Sequence, residues 1–217
     1  MSLVLYSHPF ASYCQKVLIA LYENDTKITL RIVNDERTLA ELAALWSHKK
    51  FPVLVDGNAT VIEASIIIEY LMQHYPGPAQ LIPENPAAAL HTRFMDRFFD
   101  NYVMTPMQKV VGDSLRAQPD RDPFGVADAK AQLDVSYTWL DSVMEHRLWA
   151  TGDSFSLADC AAAPSLFYAD WVHEIEHSYA NVRAYRARLL ARPSIARVID
   201  EARPYRSIFP LGAPNRD

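Results

Sequence analysis

The chain has 217 residues, half of them apolar and 22% charged, and a formal net charge of −5. That is the make-up of a globular protein with room for one large domain or two small ones, and its acidic balance gives no general attraction to nucleic acid or to an anionic membrane. No apolar run approaches the roughly 18 residues of a membrane span, Met1-Ser2-Leu3-Val4 lacks the basic start of a secretory signal, and two lone cysteines, Cys14 and Cys160, make neither a disulfide framework nor a zinc site. The expected compartment is a reducing cytoplasm, with no metal and no permanently bound cofactor.

Leu3–Tyr6 reads as a short strand. The helical spacing of Cys14, Val17, Leu18 and Leu21 predicts a helix that opens at Ser12 and ends at Asn24-Asp25. Ile28, Leu30 and Ile32 alternate with Thr29 and Arg31, the period of a half-buried strand, and Leu39 to Leu45 is a second, shorter helix. Two apolar runs, Pro52-Val53-Leu54-Val55 and Thr60-Val61-Ile62, flank Asp56-Gly57, a hairpin signal. Ser65 to Tyr75 is helical again, so the order is β-α-β-α-β-β-α. Four prolines between Pro76 and Pro86 forbid a continuous helix there. Beyond them no strand pattern appears. Pro86 to Leu115 reads as a long helix kinked at Pro106. Gly125 to His146 carries Leu133, Tyr137, Leu140 and Met144 on one stripe, and Ser156 to His173, Asn181 to Leu190 and Ser194 to Ala202 complete an all-α region. Arg203 to Asp217, with three prolines, reads as a tail.

Three stretches carry chemistry. In Leu5-Tyr6-Ser7-His8-Pro9-Phe10-Ala11-Ser12-Tyr13-Cys14 a strand passes through a polar turn into a helix. A helix N-terminus leaves about four N–H groups unpaired and favours negative charge, so a thiolate or carboxylate at that point would be stabilised; Ser12 also fits an ordinary N-cap. In Lys50-Phe51-Pro52-Val53-Leu54 a proline opens a strand, which places it at an edge or bend because it cannot donate to a ladder. Ile62-Glu63-Ala64-Ser65 precedes a further helix and offers a second N-terminus of the kind that binds anions. Further on, Phe155-Ser156-Leu157-Ala158-Asp159 has the spacing of a capping box, whose task is folding.

Taken together, these motifs and the element order resemble the cytosolic glutathione transferases, bacterial type, over nearly the whole chain. The resemblance implies a thioredoxin-like glutathione-binding domain (residues 1–76), a linker (77–86) and an all-α domain (87–217) that contributes the co-substrate pocket. It implies a cis Pro52, with the backbone of Phe51 pairing with the cysteinyl part of glutathione. It also implies that Glu63-Ala64-Ser65 holds the γ-glutamyl carboxylate. Here the family's usual serine is Ala64, and Ser65 next door offers a replacement hydroxyl.

In that family a bound thiol is held as a thiolate by a Ser or Tyr hydroxyl and helix N–H groups. An ungapped match puts Ala11 at the catalytic position, and a one-residue shift of the turn favours Ser12. Tyr6, at the end of the first strand, is the alternative donor, or a core aromatic. Cys14 shares a helical face with Val17, Leu18 and Leu21 and reads as buried and inert. Ala11-Ser12-Tyr13-Cys14 stands where related thioredoxin-like proteins have Cys-Pro-Tyr-Cys; without the first cysteine, dithiol exchange is removed as a main function. By position, His8, Phe10, Tyr102, Val103 and Met107 are candidates for the co-substrate pocket or for core, and Trp46, His48 and Lys50 for the glycine end of glutathione. Asp96 and Asp100, at i and i+4 beside Arg93 and Arg97, fit either a solvated charged face or an acid that reaches across a dimer interface to the glutamyl amine. The expected function is conjugation of glutathione to small hydrophobic electrophiles in detoxification, by a homodimer with no nucleic-acid or membrane partner. Two alternatives stand beside it: a catalytically weak, regulatory protein of the starvation-protein type, towards which Ala11 and Ala64 point, and a glutathione-dependent isomerase or peroxidase.

Overall fold

The computed structural model describes residues 3–216; Met1 and Ser2, half of the N-terminal Met1-Ser2-Leu3-Val4 stretch, and Asp217 at the end of the tail lie outside the described residues. A mixed four-stranded sheet in the order β2-β1-β3-β4 organises the N-terminal region. Strand β1 (Val4–Ser7) runs parallel to β2 (Thr29–Ile32), with Leu5 opposite Leu30, and antiparallel to β3 (Val53–Asp56), with Leu5 opposite Leu54. A parallel pair needs a crossover, which α1 (Ser12–Glu23) supplies. The pair β3 and β4 (Ala59–Ile62) is the hairpin read from Asp56-Gly57, where Gly57 takes the left-handed conformation (φ 58°) that such a turn requires.

Side chains alternate across the sheet. Leu3, Leu5 and Leu54 are buried in the main core with Val17, Leu18 and Leu21 of α1 and Ile67, Ile68 and Leu71 of α3 (Ala64–His74). A smaller core of Val33, Leu42 and Val53 lies under α2 (Glu36–Leu45), and Tyr6 packs against that cluster. Asp35 caps α2 by accepting the Thr38 N–H at 2.7 Å.

Between α3 and α4 (Pro86–Phe98) the chain has no helix or strand among the described residues, in keeping with the four prolines. The helix is irregular just before Pro106. Proline lacks the N–H of a regular helix, and its ring crowds the carbonyl four residues back. The helix answers by widening into a π-helical stretch, Phe99–Met104, just before α5 (Thr105–Ser114), and the Thr105 N–H reaches back to the Asp100 carbonyl. Then follow α6 (Pro123–Met144), α7 (Leu157–Val172), α8 (Ala180–Leu190) and α9 (Pro193–Ala202).

All of α7 but its last residue is buried, and it packs on α1, joining the two regions. The capping box at its start is present: the Ser156 N–H and hydroxyl donate to Asp159 Oδ2 at 2.8 and 3.0 Å. Asp159 Oδ1 takes the Ala150 N–H at 2.8 Å and the Tyr185 hydroxyl at 2.5 Å, so this fully buried carboxylate is a folding element. The segment expected as a tail is instead folded back. Its 3₁₀ stretch, Arg203–Ile208, leads to Phe209, which is buried against Phe10, Tyr168 and Trp171. Three prolines stop a helix there but do not stop packing. Among the described residues no helix is long and apolar enough to cross a membrane.

Candidate active site

Two clefts open between the sheet region and the helical region, and they share Tyr13, Lys50, Phe51 and Gln108. The larger, about 530 Å³, is walled by the turn Phe10-Ala11-Ser12, by Met107 and Val111 of α5, by Tyr168 of α7 and by Ile208, Phe209 and Pro210 of the folded-back C-terminal segment. The smaller, about 340 Å³, is lined by Trp46, Pro52, Glu63 and Ala64 on one side and by Arg97, Asp100, Asn101 and Thr105 on the other.

Each cleft meets a helix N-terminus. Ala11, with extended backbone, is the cap of α1, and Ser12 is its first helical residue. The first bond of that helix runs from the Gln15 N–H to the Ala11 carbonyl at 2.9 Å, so the N–H groups of Ser12, Tyr13 and Cys14 have no partner among the described residues. The Ser12 hydroxyl likewise makes no hydrogen bond there, and the residue is 8% exposed on the cleft wall. Ser12 is therefore not spent as a cap. At α3 the first bond is Ile67 N–H to the Glu63 carbonyl at 2.8 Å, which leaves the N–H groups of Ala64, Ser65 and Ile66 unpaired among the described residues. Glu63 stands at φ 70°, a left-handed conformation that costs of order 1–3 kcal/mol for such a residue. Between the two termini the Phe51-Pro52 peptide is cis.

Of the residues singled out from sequence, Ser12, Lys50, Phe51, Pro52, Glu63, Ala64, Phe10, Met107 and Trp46 line one or both clefts. Others do not. Tyr6 points to the α2 face of the sheet because neighbouring strand residues alternate. The ring of His8 lies against Tyr205, with centroids 4.7 Å apart, and its Nδ1 accepts the Phe10 N–H at 3.2 Å. Val103 is fully buried in the main core and Tyr102 is 59% exposed, and neither lines a cleft. His48 stacks on Trp46, at 4.4 Å, and lines neither cleft. The Cys14 thiol is fully buried, and burial pushes its pKa up to about 11.

Ser65 is turned away from both clefts into a charge network. Its hydroxyl accepts from Lys16 Nζ at 2.9 Å and from Arg97, and donates to Asp96 Oδ2 at 2.8 Å. Lys16, 1% exposed on α1, lies 2.6 Å from Asp96 and 2.8 Å from Asp100. The two acids thus face inward to the sheet region, not to solvent as a charged helix face would. Burial drives the Asp100 carboxyl upward, opposed by Lys16. Arg97, half-exposed, closes the network with ion pairs to both acids at 2.7 and 2.6 Å.

Several cleft residues carry no sequence signal. Tyr13 has its pKa raised by burial and by Asp100, so it stays a proton donor. Tyr168 sits inside a run of buried residues, where its hydroxyl looks like any other core group. Gln108 and the 208–210 wall join the cleft only through the three-dimensional fold. Among the described residues no group of three His, Cys, Asp or Glu side chains converges as a metal site.

Family models match both regions: the glutathione S-transferase N-terminal domain over residues 5–79 and the C-terminal domain over residues 123–188. A stringent starvation protein A homolog from Coxiella burnetii is 24% identical, over 92% of each chain. A probable maleylacetoacetate isomerase from Vibrio cholerae is 27% identical, over 94% of this chain and 98% of that protein. Among solved structures, a glutathione S-transferase from Methylobacillus flagellatus with glutathione bound superposes with a TM-score of 0.81 at 24% identity, covering 91% of this chain and 98% of the other. At that identity the superposition shows a shared fold.

Proposed function

The chain belongs to the glutathione S-transferase family, and on that premise we propose that it binds glutathione across the two clefts and activates its thiol for attack on small hydrophobic electrophiles. The observation that carries this reading is the pair of unpaired helix N-termini, at Ser12 and at Ala64, on either side of the cis Phe51-Pro52 bond. The smaller cleft takes the γ-glutamyl end. There the N–H groups of Ala64 and Ser65 receive the carboxylate. The Phe51 backbone pairs with the cysteinyl part, and Lys50 attracts the glycine carboxylate. The thiol then lies in the larger cleft beside Ser12, whose free hydroxyl and neighbouring N–H groups stabilise its anion. Met107, Val111 and Phe209 give the electrophile an apolar wall. No covalent enzyme intermediate is involved, and Cys14, buried with a raised pKa, takes no part.

The protein acts as a homodimer, joined through an exposed apolar stripe of Leu90, Phe94, Tyr102 and Trp139 on α4, the π stretch and α6. Its place of action is the cytoplasm. A second reading, a regulatory protein of weak activity, is favoured by Ala64, by the withdrawal of Ser65 into the charge network, and by similarity to starvation proteins. Calorimetry with millimolar glutathione tests the first reading: binding heat and a thermal shift are expected, and their absence would leave the second. Turnover of aryl halides, maleyl compounds and organic peroxides then separates conjugation from isomerase or peroxidase action.

A further inference from the structure

The turn that delivers Ser12 is held from the opposite region of the protein. Gln15 Nε2 uses its two hydrogens on the Pro9 carbonyl and on the Tyr168 hydroxyl oxygen, both at 2.9 Å. The Tyr168 hydroxyl gives its one hydrogen to the Phe10 carbonyl at 3.0 Å. Every donor in this set has an acceptor and none is used twice. Gln15 is 2% exposed and Tyr168 3%, so these bonds form in a medium of low polarity and cannot be exchanged for water without cost. The rings of Tyr168 and Phe10 meet in a T-shaped contact with centroids 5.5 Å apart, and Tyr168 also lines the larger cleft. One residue of α7 is thus both wall of the co-substrate cleft and anchor of the turn.

We propose that Tyr168, acting with Gln15, is a positioning residue: it fixes the Pro9-Phe10-Ala11 backbone, and with it the direction of the Ser12 hydroxyl and the α1 N–H groups. The inference rests on the reading that Ser12 meets the glutathione thiol. It implies that ligands pressing on the Tyr168 ring and the ionisation of the thiol are coupled through the turn. Tyr168→Phe keeps the ring and the wall and removes only the hydroxyl. Gln15→Met removes the other half of the clasp without touching the cleft.

Both variants are compared with the native protein by thermal melting, by amide hydrogen exchange of residues 10–13 without ligand, by titration of the bound thiol, and by steady-state kinetics. Each variant should exchange faster in that segment. Each should raise the pKa of bound glutathione and lower kcat by up to roughly tenfold, since displacing a group costs no more than removing it, while KM for the electrophile stays near the native value. The double variant should be no worse than the more severe single one, because the two residues act as one unit. If glutathione binds and Tyr168→Phe and Gln15→Met both leave the thiol pKa and kcat unchanged, the proposal is wrong. If the native protein binds no glutathione, the functional reading fails separately. Unchanged exchange at residues 10–13 would then overturn the clasp as well, whereas faster exchange would uphold it as the anchor of the turn.

Discussion

Replacing Ser12 with alanine removes one oxygen from a cleft wall where it has no other task. The hydroxyl makes no hydrogen bond within the described residues, and the cap of α1 is Ala11, so helix stability should hardly change. The expected loss is one charge-assisted hydrogen bond to the thiolate, worth about 1.5–3 kcal/mol. At about 1.36 kcal/mol per unit, that raises the thiol pKa by about one to two units. Near neutral pH the ionised fraction then falls about tenfold to a hundredfold. A more basic thiolate is also a better nucleophile, with a Brønsted slope of about 0.4–0.5, which returns part of the loss and leaves a net decrease of roughly threefold to tenfold. Above the variant's own thiol pKa, Ser12→Ala should therefore match or exceed the native rate. Thiolate absorbance of the bound complex and a pH–rate profile read both effects. A uniform loss at every pH would show that Ser12 does not act on ionisation. A shift with Tyr6→Phe but not with Ser12→Ala would move the donor to Tyr6, against its placement on the α2 face.

Further outcomes follow from the same geometry. Leu90→Glu with Phe94→Glu should convert a dimer to monomer in light scattering at micromolar concentration, since both side chains are exposed (69% and 48%) on the proposed interface; an unchanged mass would place the interface elsewhere. Lys16→Met removes the buried cation of Asp96 and Asp100, leaves them only the half-exposed Arg97, and should cost about 3–5 kcal/mol in denaturant unfolding. Adding Asp96→Asn and Asp100→Asn should recover most of it, and no recovery would mean that packing rather than charge was lost. Glu23, on α1, accepts from Arg192 at 2.7 and 2.5 Å and from Ser194. Burial acts against its carboxylate, yet these partners hold its pKa below the ordinary 4.5. A depressed carboxyl contributes stability that is present above 4.5 and lost as pH falls through the folded-state value. Glu23→Gln should flatten the dependence of melting temperature on pH below that point and leave the slope near neutrality alone.

Most of the fold is legible in the sequence because its signals are local. Alternation marks β2, the Asp56-Gly57 pair marks the hairpin, and apolar spacing marks each long helix within one to three residues of its observed bounds. The departures have one cause, competition from tertiary structure. Pro106 marks an irregularity on its own chemistry, but its form, a π-helical stretch over Phe99–Met104, is not written in the local sequence. The prolines after Arg203 predict a loose end, but Phe209 finds an aromatic pocket.

The candidate site divides in the same way. Helix N-termini are read from the residues that start helices, so Ser12 and Glu63-Ala64 stand out from the amino-acid order alone. What the neighbouring side chains do depends on elements more than thirty residues away. By position Ser65 is a replacement hydroxyl, yet Asp96, Arg97 and Lys16 claim it. Asp96 and Asp100 fit by sequence either a solvated face or an acid reaching across a dimer interface, yet Lys16 at the buried face of α1 holds both inward, against the first of these. Lys16 itself follows the apolar spacing only by neighbourhood, and no local pattern says that a lysine there will be buried. The same holds for Gln15 and Tyr168, 153 residues apart and bonded. A site assembled by two regions therefore shows its unpaired helix N-termini in the sequence and hides the side chains around them, because the first is a property of one helix and the second of a contact between two.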